Sequence, residues 1–180
     1  IPAIIAMTAS SLYNMADSIF IGHGVGALAI SGLALTFPLM NLAAAFGSLV
    51  GVGASTLVAV KLGQKDYEGA NKVLGNVLIL NGVLGVAFTI AFLFLLDPVL
   101  YFFGASENTI SYARDYMRII LYGNVVTHMY LGLNAVLRSS GFPKMAMYAT
   151  LASVVINCAL NPLFIFGFGW GIKGSAWATV

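Results

Sequence analysis

The chain has 180 residues, of which 60% are hydrophobic and only 8% are charged, and its net charge at pH 7 is +2. Soluble domains carry about 25% charged residues, so this composition excludes an ordinary water-soluble globule and favours a protein surrounded by lipid. The small net charge gives no support for a nucleic-acid partner, and the single cysteine, Cys158, excludes an internal disulfide framework.

Long uncharged runs divide the chain into candidate membrane spans, because a helix needs about 20 apolar residues to cross the hydrocarbon core. Glycines at alternate positions in 22–26 break the first long run. The runs are continuously apolar, which favours helices over a β-barrel. The sequence therefore predicts an all-α, polytopic six-helix bundle. Its five complete spans and a truncated sixth are expected at 1–21, 28–60, 73–96, 115–137, 145–166 and 174–180.

The first predicted span contains Asp17, a carboxylate inside an apolar stretch and the only titratable group expected in the middle of the bundle. A central Asp costs about 2.5 to 3.5 kcal/mol on insertion scales, and such residues usually face a cavity and have a function. Alternatively, Asp17 caps the outer end of a short helix, about 7.5 Å below Gly22. Tyr13 lies one helical turn earlier, so its hydroxyl is expected to donate to the carboxylate.

The second predicted span repeats a small residue at every fourth position: Ala43, Gly47, Gly51, Ser55 and Ala59. Small side chains along one helix face allow a neighbouring backbone to come close. This pattern predicts packing against another helix of the bundle, either as a fixed contact or as a gliding one.

Basic residues near the span ends predict the topology. Five lie on one side, namely Lys61, Lys65, Lys72, Arg138 and Lys144, and three on the other, namely Arg114, Arg118 and Lys173. The positive-inside rule then places the first set and the amino terminus in the cytoplasm of a cell-membrane protein. Asp66 and Glu68 are expected to begin the third helix, where acidic side chains suit the helix dipole.

The fifth predicted span carries Asn157 and Asn161 on one helix face, with Pro162 directly after them. Such amides need partners in the membrane, so they predict a shared polar site or interhelical hydrogen bonds. Pro162 removes a backbone donor and is expected to weaken the local ladder. His23 and His128 have no carboxylate at metal-ligand spacing, so neither an enzyme nor a cofactor is predicted, and His128 is expected to be packed or interfacial.

Five strings together resemble the multidrug and toxic compound extrusion family. They lie at 11–22, 51–56, 62–64, 137–141 and 157–167, and the first (SLYNMADSIFIG) and last (NCALNPLFIFG) are the most specific. Members have twelve helices in two lobes and export amphipathic, cationic drugs in exchange for H⁺ or Na⁺. The resemblance therefore implies an amino-terminal lobe whose carboxy-terminal partner lobe is absent from this chain.

The resemblance also implies a site. The family's first-helix acid matches Asp17, its aromatic partner matches Tyr13, the fifth-helix asparagine matches Asn157 and the sixth-helix threonine matches Thr179. The proline that kinks the first helix matches Pro2.

One position departs from the family pattern. The family usually has an aspartate before the Pro-Leu-Phe string, and this chain has Asn161. The implied cation site is therefore Asp17, Asn157, Asn161 and Thr179, with one carboxylate instead of two. No metal other than a possible Na⁺ is expected there.

These observations predict secondary active efflux by alternating access. Asp17 would take up a proton, or the four site residues would offer oxygen ligands to Na⁺, and the first helix would then bend near Pro2. The expected partners are small amphipathic compounds, the lipid bilayer and the other lobe. One alternative is a flippase for lipid-linked saccharides, which the lack of deep Lys or Arg disfavours. The other is a non-transporting membrane module, which would not need Asp17 and Asn157 to converge.

Overall fold

The computed structural model describes residues 2–180, and that part of the chain consists of helices joined by short turns. The helices are α1 (Pro2–Gly24), α2 (Ala27–Gly63), α3 (Tyr67–Phe102), α4 (Ile110–Ser139), α5 (Pro143–Pro162) and α6 (Gly171–Thr179), with a π-helical turn at Leu163–Gly167 between α5 and α6. Five helical segments are long and apolar enough to cross a membrane, namely Ile4–Gly24, Ala27–Gly63, Tyr67–Phe102, Ile110–Ser139 and Pro143–Gly167. The all-α, multi-pass architecture is thus confirmed.

The helices extend beyond the uncharged runs of the sequence. Helix α2 has 37 residues, which is about 55 Å at 1.5 Å per residue, whereas the hydrocarbon core is about 30 Å thick. Helices of this length continue outside the core or tilt within it, so where each span enters the hydrocarbon stays a prediction. Gly26, with a φ of 119°, forms the expected turn between α1 and α2.

The turn between α2 and α3 is fixed by one carboxylate. Asp66 is the N-cap of α3 and accepts a hydrogen bond of 2.8 Å from the Gly69 amide, while Lys61 Nζ donates to its other oxygen at 2.8 Å. These contacts lower the pKa of Asp66, the lysine contributing most. The expected start of the third helix is confirmed, with Glu68 in its first turn.

The helices form two groups. Helices α2, α3 and α4 pack chiefly on one another, and α1 packs chiefly on α5, with α6 joining them and α4. Of the five long helical segments, α4 is the most enclosed, since half of its most apolar stretch is buried, against 11% for α1. We call these the α2–α3–α4 group and the α1–α5–α6 group.

The small-residue face of α2 packs against α4, as predicted, over its first three positions. Ala43, Gly47 and Gly51 are buried, and a Cβ added at Gly51 would lie 2.5 Å from the Cα of Gly132. The prediction is wrong for Ala59, which is exposed. A spacing of four exceeds the helical repeat of 3.6, so the stripe drifts about 40° per step and leaves the contact.

Among the polar side chains buried in the α2–α3–α4 group, His128 and Asn81 lie opposite glycines of a neighbouring helix. His128 is 0% and Asn81 is 1% exposed. Gly47 faces the His128 ring, and Gly132 faces the Asn81 amide. Among the described residues, none of their four side-chain nitrogen and oxygen atoms has a hydrogen-bond partner; the Ala43 carbonyl faces the ring outside hydrogen-bonding geometry.

Of the two expected placements of His128, packed or interfacial, the structure shows the packed one. Its burial also corrects the expectation that Asp17 is the only titratable group in the middle of the bundle, because an imidazole titrates too.

Candidate functional site

Asp17 is the centre of a polar cluster in the α1–α5–α6 group. Its side chain is 5% exposed. The carboxylate oxygen Oδ1 accepts a hydrogen bond from Asn161 Nδ2 at 2.8 Å and another from Ser175 Oγ at 2.5 Å. The first donor belongs to α5 and the second to α6, so a single carboxylate oxygen joins three helices.

The two asparagines of α5 continue this cluster. Their spacing of one helical turn puts both amides on one face, and Asn161 Nδ2 also donates to Asn157 Oδ1 at 2.9 Å. Asn157 Nδ2 in turn donates to the carbonyl oxygen of Ala178 at 2.8 Å. The structure thus brings Asp17, Asn161 and Asn157 into one hydrogen-bonded chain that ends on the backbone of α6.

One acceptor in this cluster has no donor. Asn161 is 1% exposed, and its Oδ1 atom has no hydrogen-bond partner among the residues that the structure describes. A buried polar atom left unpaired costs about 1–3 kcal/mol. Such an acceptor beside a buried carboxylate fits a small cation or a group that donates a proton.

The expected bond from Tyr13 to Asp17 is wrong. The Tyr13 hydroxyl is instead 3.0 Å from Thr179 Oγ1 on α6. Side chains on a helix lean toward its amino terminus, so the long Tyr13 ring points away from Asp17, which follows it in the chain. Thr179 also donates to the Ser175 carbonyl at 3.0 Å. Tyr13 and Thr179 therefore lie at the edge of the cluster: they contact each other, and Thr179 contacts the backbone of Ser175.

The backbone between Asn161 and α6 departs from a regular α-helix, and this departure determines where α6 meets the cluster. Pro162 cannot donate a backbone hydrogen bond, and the wide π-helical turn Leu163–Gly167 follows it, as the expected weakening of the ladder implies. A Cβ at Gly174 would lie 2.9 Å from the backbone of Phe164, so only glycine lets α6 pack this closely on the turn. This return brings Ser175 back to Asp17.

Two residues of the cluster were not identified from the sequence. Ser175 is 0% exposed and lies one turn before Thr179, so a search for polar residues sharing the face of Thr179 would have found it. Tyr116 on α4 is 1% exposed and faces Asp17 and Thr179. Nothing in the sequence distinguishes Tyr116 from the other tyrosines, since only the packing of α4 on α6 brings it there.

Pro2 lies apart from the cluster. It is the first residue of α1 in the described part of the chain, and 15 residues, or about 22 Å of helix, separate it from Asp17. Its role as a bending point stays a prediction.

A cavity of about 530 Å³ lies beside the cluster, between α1, α4, α5 and α6. Hydroxyl, amide and aromatic groups share its wall with aliphatic side chains, and the polar and aromatic members include Tyr13, Tyr130, Thr150, Asn157, Trp177 and Thr179. Ligand pockets are commonly apolar with a few placed polar groups. The cluster and this cavity are contiguous, because Asn157 of the cluster also lines the cavity.

The fold and the site together define a polytopic helical membrane protein with a buried carboxylate beside an amphipathic cavity. The MatE family model matches residues 2–163. The chain therefore belongs to the MatE family.

Similar proteins agree with this membership. The chain is 33% identical, over its whole length, to "Probable multidrug resistance protein YoeA" of Bacillus subtilis (strain 168). It is 31% identical, over 99% of its length, to "Multidrug export protein MepA" of Staphylococcus haemolyticus (strain JCSC1435). A solved structure described as "Crystal structure of MATE in the bent conformation" superposes on 99% of the chain with a TM-score of 0.92 and 35% identity. The chain spans 40% of the length of each.

Proposed function

We propose that this chain is the amino-terminal lobe of a secondary active exporter that moves small amphipathic, often cationic compounds out of the cell in exchange for H⁺ or Na⁺. The cation site is Asp17 with Asn157, Asn161 and Thr179, and Tyr13 supports it through Thr179. The main support is that buried Asp17 accepts hydrogen bonds from two other helices. The unpaired Oδ1 of Asn161 lies beside it.

The charge of the site supports a monovalent cation. A carboxylate buried in a membrane protein is costly unless paired, and among the described residues no lysine or arginine bonds to Asp17. A proton or a sodium ion neutralises this single negative charge. Once the cation has neutralised the carboxylate, Asp17 Oδ1 attracts the donors on α5 and α6 less strongly. The cation thereby favours a different arrangement of the helices, which alternating access requires.

The substrates and the remaining machinery follow from the cavity and the relatives. The cavity beside the cluster offers aromatic and hydroxyl groups to an amphipathic compound, and relatives are described as multidrug export or resistance proteins. The relatives are long enough to contain a second lobe of this size. Such a lobe would close the open side of the cavity. The bilayer in question is the cell membrane, and α1 bends near Pro2 as the site loads.

The two alternatives have less support. A flippase for lipid-linked saccharides would need cationic side chains deep in the cavity, whereas none of the residues lining it is Lys or Arg. A non-transporting module would not need Asp17 and Asn157 within two hydrogen bonds of each other, as they are here through Asn161.

The test is transport in proteoliposomes by the natural protein that contains this chain, under an imposed proton gradient and then a sodium gradient. Asp17→Asn should abolish gradient-driven efflux while protein yield and insertion stay near normal, because the amide keeps the size of the acid and removes a buried charge.

Asp115→Asn is the matched control. The Asp115 side chain is 40% exposed, pairs with Lys173 at 3.2 Å and is absent from the hydrogen bonds of the cluster among the described residues, so this variant should transport like the unmodified protein. Full efflux by Asp17→Asn would refute the proposal that this lobe couples the cation to export.

A further inference from the structure

The two ends of the helix bundle differ in charge. One end carries the α2–α3 and α4–α5 turns, and we call it the basic end. Its two acidic side chains, Asp66 and Glu68, are outnumbered by five basic ones, so its net charge is +3; the five are Lys61, Lys65, Lys72, Arg138 and Lys144. The other end is neutral, because it has three basic and three acidic side chains: Arg114, Arg118, Lys173, Asp97, Glu107 and Asp115.

Packing between the helices brings the two turns of the basic end together. Val58 of α2, Val77 of α3 and Val136 of α4 form one buried cluster. Lys65 lies just beyond this cluster in the turn after α2, and Arg138 lies just beyond it in the last turn of α4. The first turn of α5, which contains Lys144, follows after a short connection. The cations of both turns therefore face the same side of the membrane.

Most of the positive charge of the basic end is not neutralised by ion pairs. Lys61 pairs with Asp66 at 2.8 Å. Lys72 pairs with Glu68 at 2.8 Å, so both acids of this end are used. Three exposed cations have no ion-pair partner within the described part of the chain: Lys65, Arg138 and Lys144.

Lys65 occupies a backbone conformation that normally favours glycine. Its φ is 60°, in the left-handed region that glycine commonly adopts directly after a helix. A lysine at this position costs stability relative to glycine, so the folding of the turn does not account for it. This choice of residue favours a role for the lysine cation in a contact outside the turn.

Exposed tyrosines place the basic end at the level of the lipid headgroups. Tyr67 and Tyr148 are 64% and 58% exposed, and each lies within four residues of an unpaired lysine. Tyrosines of membrane proteins concentrate at the interface between hydrocarbon and water. Long basic side chains near helix ends extend into the same layer. The three unpaired cations therefore lie where lipid phosphates are.

We propose that the basic end binds the headgroup phosphates of anionic phospholipids through Lys65, Arg138 and Lys144. Anionic lipids give the cytoplasmic leaflet a negative surface, and each Lys or Arg close to it strengthens binding about fivefold. The predicted topology puts the basic end at that leaflet, whereas the neutral end has no net charge to attract such lipids. The proposal is independent of the coupling cation and of the exported compounds.

The test is local lipid binding by the natural protein that contains this chain, reconstituted in vesicles. Tyr67→Trp adds a fluorophore at the basic end, and its signal is the difference from the protein without this change. Brominated phosphatidylglycerol, mixed into phosphatidylcholine, should quench this signal about fivefold more efficiently than brominated phosphatidylcholine does. Added NaCl should reduce the preference, because salt screens exposed charges.

Substitutions of the three cations test the assignment. Lys65→Gln, Arg138→Gln and Lys144→Gln together should remove the preference for phosphatidylglycerol. Lys65→Arg, Arg138→Lys and Lys144→Arg together keep the charge and should keep the preference. Arg118→Gln removes an exposed cation from the neutral end and should change nothing.

Lys65→Gly separates lipid binding from folding. It should reduce the preference about fivefold, since one cation is lost beside the fluorophore. Its unfolding temperature in lipid-free detergent should be unchanged or higher, because glycine suits the left-handed φ. A folding defect would instead lower both values.

Two results would overturn the proposal. If the triple glutamine variant keeps the preference for phosphatidylglycerol, the three cations do not hold lipid, and their partner lies elsewhere in the natural protein. If inorganic phosphate abolishes the preference at an ionic strength where NaCl does not, the basic end binds a soluble anion and not a lipid.

Discussion

The two helix groups differ in how their buried polar side chains are bonded. In the α1–α5–α6 group, Asp17, Asn157, Asn161 and Ser175 share a continuous series of hydrogen bonds. In the α2–α3–α4 group, buried Thr36 and Asn124 each donate to a backbone carbonyl, whereas Asn81 and His128 have no partner among the described residues. The first arrangement joins helices through bonds that a ligand can exchange. The second places His128 and Asn81 beside glycines at which neighbouring helices come close.

This contrast indicates different roles for the two groups. Close glycine contacts between α2 and α4 resist any separation of the helices, because cores repack in discrete steps. The α1–α5–α6 group is held by fewer and more polar contacts, and α1 buries little of its apolar surface. We therefore expect the α2–α3–α4 group to move as a unit and the α1–α5–α6 group to rearrange.

The largest expected effect is the loss of the α2–α4 contact. In Gly51→Leu, a Cβ would lie 2.5 Å from the Cα of Gly132 and 2.7 Å from its carbonyl oxygen, which the backbone must move to relieve. We expect a severe loss of folded protein in detergent, measured by size-exclusion chromatography and thermal unfolding. Gly53→Leu is the control, since a Cβ there meets nothing within 4 Å. Equal yields for the two variants would show that this contact does not hold the group together.

The next effect compares the two groups directly by making the same substitution, asparagine to leucine, in each of them. Asn161→Leu removes two hydrogen bonds from the polar cluster and leaves Asp17 and Asn157 each short of a donor. It should destabilise the protein by about 1–3 kcal/mol. Asn81→Leu removes an amide without partners and should stabilise it by about 1–2 kcal/mol. Thermal unfolding in one detergent checks both, and a loss of stability in Asn81→Leu would mean that Asn81 has a partner in solution.

A smaller effect is expected from Asn161→Asp, which gives the site a second carboxylate. Two carboxylates this close resist joint ionisation, so proton release should spread over two steps instead of one. Na⁺ binding should tighten about tenfold, because the ion then meets twice the negative charge. The measurements are ²²Na⁺ binding and the pH dependence of tryptophan fluorescence. Unchanged Na⁺ affinity would argue that Asn161 does not contact the ion.

The smallest effect concerns the turn that joins α2 to α3 in the α2–α3–α4 group. The pKa of Asp66 is lowered in the folded protein, chiefly by Lys61 and then by the Gly69 amide. A lowered pKa contributes stability above about pH 4, the ordinary aspartate value, which is lost as the pH falls through the folded pKa. Asp66→Asn should therefore reduce the unfolding temperature slightly at pH 7 and not at all at pH 3. The same loss at both values would show that the carboxylate charge is irrelevant to this turn.

The fold followed from the sequence because its signals are local. Uncharged runs, the glycines of 22–26 and the acidic residues after Lys65 each fix a helix or its end without reference to distant residues. The asparagine pair of α5 belongs to the same class, because its spacing alone puts both amides on one face.

The rest of the site depends on packing between distant elements. The sequence distance between Asp17 and Ser175 is 158 residues, and only the close approach of Gly174 to the π-helical turn brings them together. The Tyr13 error has a similar origin, since residue spacing gives the face and not the direction of a long side chain. The unpaired state of Asn81 and His128 cannot be predicted from hydropathy at all.

The presence of one acid instead of two has an electrical consequence. In the proposed function, the site carries one negative charge when empty and none when a monovalent cation is bound. The loaded lobe then rearranges without moving net charge, whereas the empty lobe moves one charge through part of the membrane field. A full charge crossing 100 mV corresponds to about 2.3 kcal/mol. The membrane voltage should thus act on the return of the empty transporter, so that the rate of turnover depends on voltage even where the affinity for the cation does not.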